Sequence, residues 1–522
     1  MTSRLLGSIA VACAIAIAAS SLAWIRTNPL PSYWDEAMYA NEAIVDHDAG
    51  FIAAYNSDTQ RPPAHRLLAL PFTKLFGARL SVMRVVSIAG FIAAAAVLAF
   101  ATGEATTFLI VIASPVLVLA TKMFGTEPPL LLAIALMLLA LTHRRAHWSL
   151  LGIAIGLGCL AKSSFFVVAV PMIAAALIID RERRAFIVKG TLLGAAIAAT
   201  WWIPNGASAL RFGVGSGGFS RHSLGSPWSL VTLARWSFEF ARCVSGWLVL
   251  AAIAIVVATT RVSDARVKRI LILCISGAVL IPVATYTSAN HNPRLVATTM
   301  FLLAAIAGTL ATIAKPAIRA IVVILAVAQI VVIAMPREWS ASDERRSYIW
   351  RSATEVMAPI EQWDWTPLRA ASDRAGIRNP LIAIIGEGYQ MNPPSIVYAW
   401  TRARRNARVM LVAKDARDAD IIVTAPGFRG DPRDGQPQLN AYNEAVVSSL
   451  SHDSRVAGPF WIDVGVRRPM RIAAFFNRQS VARAAPLRTG MDQRLHRGEQ
   501  IEARNDDGVA RIGDRLSAAL QN

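Results

Sequence analysis

The chain has 522 residues, 54% of them hydrophobic and only 17% charged, with a formal net charge of +19. Soluble domains carry about 25% charged residues, so a single water-soluble globule is excluded, and the mean hydropathy of +0.44 points to a membrane. Nor does the positive surplus mark a nucleic-acid binder: beyond residue 335 there are 27 Lys and Arg against 22 Asp and Glu, so most of the excess lies between apolar runs, and no basic stripe interleaves with aromatics.

A span needs about 20 apolar residues. About eleven are predicted, near 5–24, 80–100, 106–121, 127–142, 148–161, 163–179, 186–203, 243–259, 270–288, 294–313 and 319–335. Several between 106 and 179 are short, as broken, tilted or half-buried helices are. Arg4, the apolar stretch after it and AIAASSLA also fit a cleaved signal peptide. An uncleaved first helix is preferred, and either reading leaves residues 25–79 on the same side.

Orientation follows from the charges between spans. HRRAH at 143–147, RERR at 181–184, RVSDARVKR at 261–269 and KPAIR at 315–319 are short and basic, as cytoplasmic loops are. The N-terminus is then cytoplasmic. Residues 25–79, 204–242, the SANHNPR turn and everything after residue 335 are non-cytoplasmic, which for an inner-membrane protein means periplasmic.

The first outer loop carries the most chemistry. Asp35 and Glu36 lie about ten residues past the first span, and Asp35, Tyr39, Glu42 and Asp46 recur at helical spacing on one face. Trp34 and Tyr39 suit a membrane–water boundary. A carboxylate there reaches a lipid headgroup and water-borne hydroxyls together. Ser32-x-x-Asp35 also reads as a capping box, with acids in the first helical turn and no chemistry required. In GTEPPLLL, Glu127 sits at the outer mouth of the fourth span beside Pro128 and Pro129. It is a functional acid or the acidic first turn of a helix. Arg61, Lys162 and Arg294 also map to the outer side, where the positive-inside rule does not explain them. They are expected to hold a carrier phosphate or to serve as headgroup anchors or ion-pair partners. Asp58 and His291 join Tyr39 as substrate-lining candidates.

Cys13, Cys159, Cys243 and Cys274 all fall in or beside apolar runs without CxxC spacing, and read as buried thiols rather than a disulfide or zinc framework. After residue 335, apolar strands are predicted at 381–386, 396–400, 408–413, 420–426 and 460–465, in a small mixed α/β domain over 336–477. GEG at 386–388 is no dinucleotide fingerprint. Residues 478–522 are Arg-rich and without strong periodicity, as loosely ordered tails are. No internal repeat is present.

The Asp-Glu loop, QRPPAHRLLALPFTKLFG followed by the span that bears Arg84, GTEPPLLL and GLGCLAKSSFFVVAVP occur in an order that resembles the GT-C superfamily. The nearest likeness is to polyprenyl-phosphate-dependent glycosyltransferases related to protein mannosyltransferases and lipid A aminoarabinose transferases, over roughly residues 1–310. The resemblance implies a polytopic helical membrane domain (1–335) with a short-helix catalytic outer loop at 25–79. It implies a polyprenyl-phosphate sugar donor and an inverting single displacement onto a lipid, glycan or protein acceptor. It makes Asp35 the leading catalytic carboxylate with Glu36 beside it, Glu127 an acid of the second outer loop, and Lys162 and Arg294 phosphate-side groups. Where some relatives have Glu before the Lys/Arg-Pro step this chain has Gln60 and Arg61, with Asp58 as the stand-in, so metal dependence stays open. Asp35 and Glu127 are oxygen donors that suit Mg or Mn. A transporter or flippase of a lipid-linked substrate is the second hypothesis. It is disfavoured because the acids and bases gather at the outer boundary, whereas transporters bind near the midplane between repeated halves. A non-catalytic membrane binding protein is the third.

Overall fold

The computed structural model describes residues 3–219, 224–335, 351–385, 391–411, 418–425, 445, 447–467 and 469–484. GEG at 386–388 and the tail beyond 484 lie outside them. The start of the expected tail, 478–484, is helical. The chain divides into two compact units. One comprises 1–29, 46–341 and 348–359; the other comprises 30–45, 342–347 and 360–522. Residues 30–45, the opening segment of the stretch 25–79, cluster with the C-terminal residues.

The first unit is helical. In chain order its helices are α1 (Ser3–Thr27), the latter part of α2 (Trp34–Ala49), α3 (Phe51–Asn56), α4 (Ala64–Phe76), α5 (Leu80–Thr102), α6 (Ala105–Ile112) and α7 (Pro115–Leu119). There follow α8 (Glu127–Thr142), α9 (Trp148–Ala161), α10 (Phe165–Ile179), α11 (Arg184–Phe219), α12 (Leu230–Glu239), α13 (Trp247–Thr259), α14 (Ala265–Thr287), α15 (Ala297–Ile313) and α16 (Pro316–Ala334). Among the described residues six helices are long and apolar enough to cross a bilayer. A seventh span results if residues 230–245 and 247–259, bent by 99°, count as one. Three more, α8 to α10, are apolar but only 16, 14 and 15 residues long.

The stretch 106–121 is not one continuous helix. It breaks at Ser114, which is extended (φ −87°, ψ 118°) ahead of Pro115. Proline disfavours the helical region for the residue before it and cannot donate the next ladder bond. The break is tolerated because residues 106–124 are buried throughout, so no irregular backbone meets lipid. Small residues bring the long helices together. An added Cβ at Gly152 or Gly156 on α9 would meet Leu193 or Ile197 of α11 at 2.6 Å, well inside contact distance. The four cysteines are buried free thiols.

In the stretch 25–79, α4 buries Ala64, His65, Arg66, Ala69, Leu70 and Thr73 and exposes Leu68, Phe72, Leu75 and Phe76. A short helix with one packed face and an outward apolar edge is suited to lie along the membrane surface.

The second unit is built on a five-stranded sheet in the order β2-β1-β3-β5-β4. Its strands are β1 (Leu381–Ile385), β2 (Arg408–Leu411), β3 (Ile421–Thr424), β4 (Val456–Asp463) and β5 (Arg471–Asn477). β1 runs parallel to β2 and β3, with Ile382 opposite Ile421 and Ile384 opposite Val423. β5 is antiparallel to both β3 and β4. Alternate residues serve two cores. Ile382, Ile384, Val423, Ala474 and Phe476 face Trp363, Trp365, Leu368 and Trp400, while Ala383, Ile385, Ile422, Ala473 and Phe475 face Leu450 and Ala419. Burial on both faces explains the unbroken apolar run in β1.

Residues 396–400, expected as a strand, belong instead to α18 (Pro393–Thr401), which follows α17 (Thr366–Arg374) in helix order. Asn392 caps α18 by accepting the Ser395 amide, and Pro393 and Pro394 occupy its first turn. Pro is favoured there because its missing N–H has no partner to lose. Ile396, Ala399 and Trp400 then fall at i, i+3 and i+4 and pack into the first core. β5 was not anticipated, although IAAFF between Arg471 and Asn477 is an apolar run of strand length.

Candidate active site

Glu127, Lys162 and Arg294, separated by 35 and 167 residues in sequence from the carboxylate, meet in space. Glu127 Oε1 accepts from Lys162 Nζ at 3.1 Å and from Arg294 Nη2 at 3.2 Å. Each is delivered by a helix end. Glu127 begins α8 ahead of two prolines. Lys162 is the extended residue that closes α9. Arg294 sits in a 3-10 turn, Pro293–Val296, whose start is capped by Asn292 accepting the Arg294 amide. The carboxylate and Arg294 side chains are 10% and 12% exposed, while Lys162 is 31% exposed. Lys162, the more exposed of the two cations, keeps ammonium donors on an accessible side, which is what a charge-assisted contact to an anion requires.

Arg61 does not join this trio among the described contacts. It pairs with Asp58 at 3.1 Å and lies over the Phe212 ring at 4.5 Å. Asp58 Oδ1 also accepts the Gln60 and Arg61 amides at 2.7 and 3.2 Å, so it shapes the turn that leads into α4. His291 is buried. Its Nδ1 accepts the Leu224 amide at 3.0 Å and its ring meets Tyr286 edge-on. Burial lowers its imidazole below the ordinary value.

Further groups escaped the sequence reading. Arg66 is fully buried and donates to Asp46 at 3.0 Å, while Ser57 Oγ donates to the other carboxylate oxygen at 2.9 Å. Burial raises the Asp46 carboxyl, against the pull of Arg66 and Ser57. His65, buried beside Phe124, is held well below its ordinary value by burial and then by Arg66. Lys122 is buried with its ammonium 4.8 Å from the Trp24 ring centroid, and the Arg84 guanidinium lies over the same ring at 5.1 Å. Burial, then Arg351 and Arg84, drive the Lys122 ammonium well below its usual value. The signal for Lys122 was available: like Lys162, it is a lysine between apolar runs, in a segment that the topology expected from the basic loops puts opposite them.

In the second unit, α2 opens at Trp34 with Asp35 and Glu36 in its first turn. Glu36 takes a capping role at this helix start. Glu36 is fully buried, and its Oε2 accepts the Ser32 amide at 2.6 Å. Tyr39 is buried, while Asp35 is half-buried and Trp34 exposed. Among the described residues no group of three or more His, Cys, Asp and Glu side chains is placed to hold a metal. Glu127, offered above as a ligand, has two cations on one oxygen, a setting that repels Mg or Mn.

The family profile described as dolichyl-phosphate-mannose-protein mannosyltransferase matches residues 60–207, the stretch that contains Arg61, Glu127 and Lys162. No curated protein matches the sequence. Among solved structures, ArnT from Cupriavidus metallidurans in the apo state is similar with a TM-score of 0.54 at 13% identity, over 91% of this chain and 98% of that one. The same ArnT bound to undecaprenyl phosphate gives a TM-score of 0.53 at 14% identity, with the same coverage. The chain therefore shares the fold of ArnT, with a mannosyltransferase-family sequence match over residues 60–207.

Proposed function

We propose that the protein transfers a sugar from a polyprenyl-phosphate carrier to an envelope acceptor on the outer face of the membrane. The observation that carries this reading is the Glu127–Lys162–Arg294 cluster. The match to a mannosyltransferase family and the fold shared with a protein solved with undecaprenyl phosphate support it. Lys162 and Arg294 are assigned to the donor phosphate, and Glu127 to holding the two cations together before the substrate arrives. Preorganised cations of this kind stabilise charge as it develops on a leaving group.

Asp35 is assigned as general base. It takes the proton of the acceptor hydroxyl as that oxygen bonds to the anomeric carbon. The bond from that carbon to the phosphate oxygen breaks, and its electron pair leaves with the polyprenyl phosphate. A single displacement inverts the anomeric centre. Glu36 is assigned to holding the turn that presents Asp35. The basic loops between spans support a cytoplasmic location for the opposite end of the helices. A lipid, glycan or protein acceptor meets the same chemical requirement, a hydroxyl or amine to be deprotonated.

The test is a transfer assay with purified protein, a panel of radiolabelled polyprenyl-phosphate sugars and a crude envelope extract. The reading expects label from one donor class to move into the extract. Folded protein that moves label from none of them, yet flips the carrier in vesicles, would replace this reading with lipid-carrier transport.

A further inference from the structure

Residues 30–45 belong to the compact unit of the C-terminal sheet domain, and specific bonds fasten them there. Gln362, fully buried, uses both ends of its amide on one residue. Its Oε1 accepts the Leu30 amide at 3.3 Å and its Nε2 donates to the Leu30 carbonyl. An amide that satisfies the donor and the acceptor of one backbone residue fixes that residue's position and its rotation about the chain. Two residues on, the Ser32 amide is taken by Glu36. Further along α2, Asn41 Nδ2 donates to the Pro394 carbonyl at 2.9 Å and Arg404 Nη1 donates to the Ile44 carbonyl at 3.0 Å. Asp35 lies between the first and second of these cross-links to the sheet domain.

From this arrangement we propose that Gln362 is a positioning residue for the reaction: by clamping Leu30, the C-terminal domain sets the register and rotation of the first turn of α2, and with them the aim of Asp35. The inference rests on the assignment of Asp35 under the proposed function. The C-terminal domain is then part of the catalytic apparatus, although its residues touch no reacting atom. Removing the clamp breaks both of its bonds to Leu30 and lets the first turn of α2 drift, and misplacement on the ångström scale costs up to about 100-fold in rate.

The test uses the full-length protein with Gln362→Ala and Gln362→Glu, the latter keeping an acceptor for the Leu30 amide but losing the donor. Turnover and hydrogen exchange are read together. The expected result is a fall in kcat of about 10- to 100-fold, a donor KM within about twofold of wild type, and faster exchange in residues 30–45 with none in α5 or α8. In an Asp35→Asn background, Gln362→Ala should cost nothing further, because both changes act on one step. Should Gln362→Ala fail to fold, Gln362→Glu and Asn41→Ala carry the test. Retention of wild-type kcat in a variant whose 30–45 segment exchanges faster would overturn the inference and leave Asp35 standing. Full activity of Asp35→Asn would remove the assignment of Asp35 itself.

Discussion

The two ends of the membrane bundle use the same ingredients differently. At the end where α8 begins, Glu127 holds Lys162 and Arg294. At the opposite end Asp180 pairs with Arg269 and lies 3.9 Å from Arg183. There, however, the arginines are also committed to helix-end carbonyls. Arg183 donates to Ala140 and Leu141, both at 3.0 Å, and Arg269 donates to Leu141 as well. Nearby in type, Arg319 pairs with Glu104, which already caps α6. These are stitches that satisfy the unpaired carbonyls and amides at helix ends. At the Glu127 end the Lys162 ammonium is bonded only to the carboxylate among the described residues, and its side chain stays 31% exposed. One acid with two bases is thus not in itself a site. The difference lies in whether a cation, here Lys162, retains donors and exposure for something that arrives from outside.

The most severe way to break this comparison is to remove the base that the reading places in α2. Asp35→Asn should lower kcat by about 10³-fold, within the usual range for a lost general base, while leaving the protein inserted and thermally unchanged. The comparison is sharpened by changing one cation at each end. Lys162→Ala and Arg294→Ala should each lower kcat/KM by about 100-fold in the transfer assay. Arg183→Ala should leave kcat/KM within about twofold and instead lower stability by about 1–3 kcal/mol, the cost of taking the arginine donor from the buried Ala140 carbonyl. Glu127→Gln keeps the shape but releases the two cations from their shared charge. A fall of about tenfold in kcat/KM, smaller than for either cation, is expected if its role is organisation.

The smallest expected effect is on pH. The folded protein holds the His65 imidazole neutral well below its ordinary value, whereas the unfolded chain takes up a proton near about pH 6.5. Stability from this group is therefore complete above that pH and is lost as the pH falls below it. Thermal-melt series between pH 7.5 and 5 check this. The wild-type melting temperature should decline on acidification, and His65→Gln should decline less, with His291 contributing to what remains.

Much of the Glu127 end could be read from the sequence, because a lysine or arginine on the side away from the basic loops needs a reason other than topology. Lys162 and Arg294 met that test. Their meeting on Glu127 could not be read, since pairing across 35 and 167 residues is tertiary. Elsewhere local pattern misled. IVYAW has strand composition, but the Asn392 cap and two prolines before it start a helix, and a fully buried apolar run of five residues carries no period to tell the two apart. The run 106–121 has span composition, yet Pro115 divides it. Residues 25–79 form short helices, as the sequence led one to expect. The attachment of residues 30–45 to the sheet domain was hidden, because it depends on Gln362, an uncharged residue more than 300 positions away.

The most direct test of the difference between the two ends is the binding of undecaprenyl phosphate to purified wild type, Lys162→Ala, Arg294→Ala and Arg269→Ala. The account predicts that Arg269→Ala binds as wild type does, and that Lys162→Ala and Arg294→Ala each weaken binding by about tenfold or more, as the loss of a charge-assisted phosphate contact does. Undiminished binding by both Lys162→Ala and Arg294→Ala, in folded protein, would contradict it.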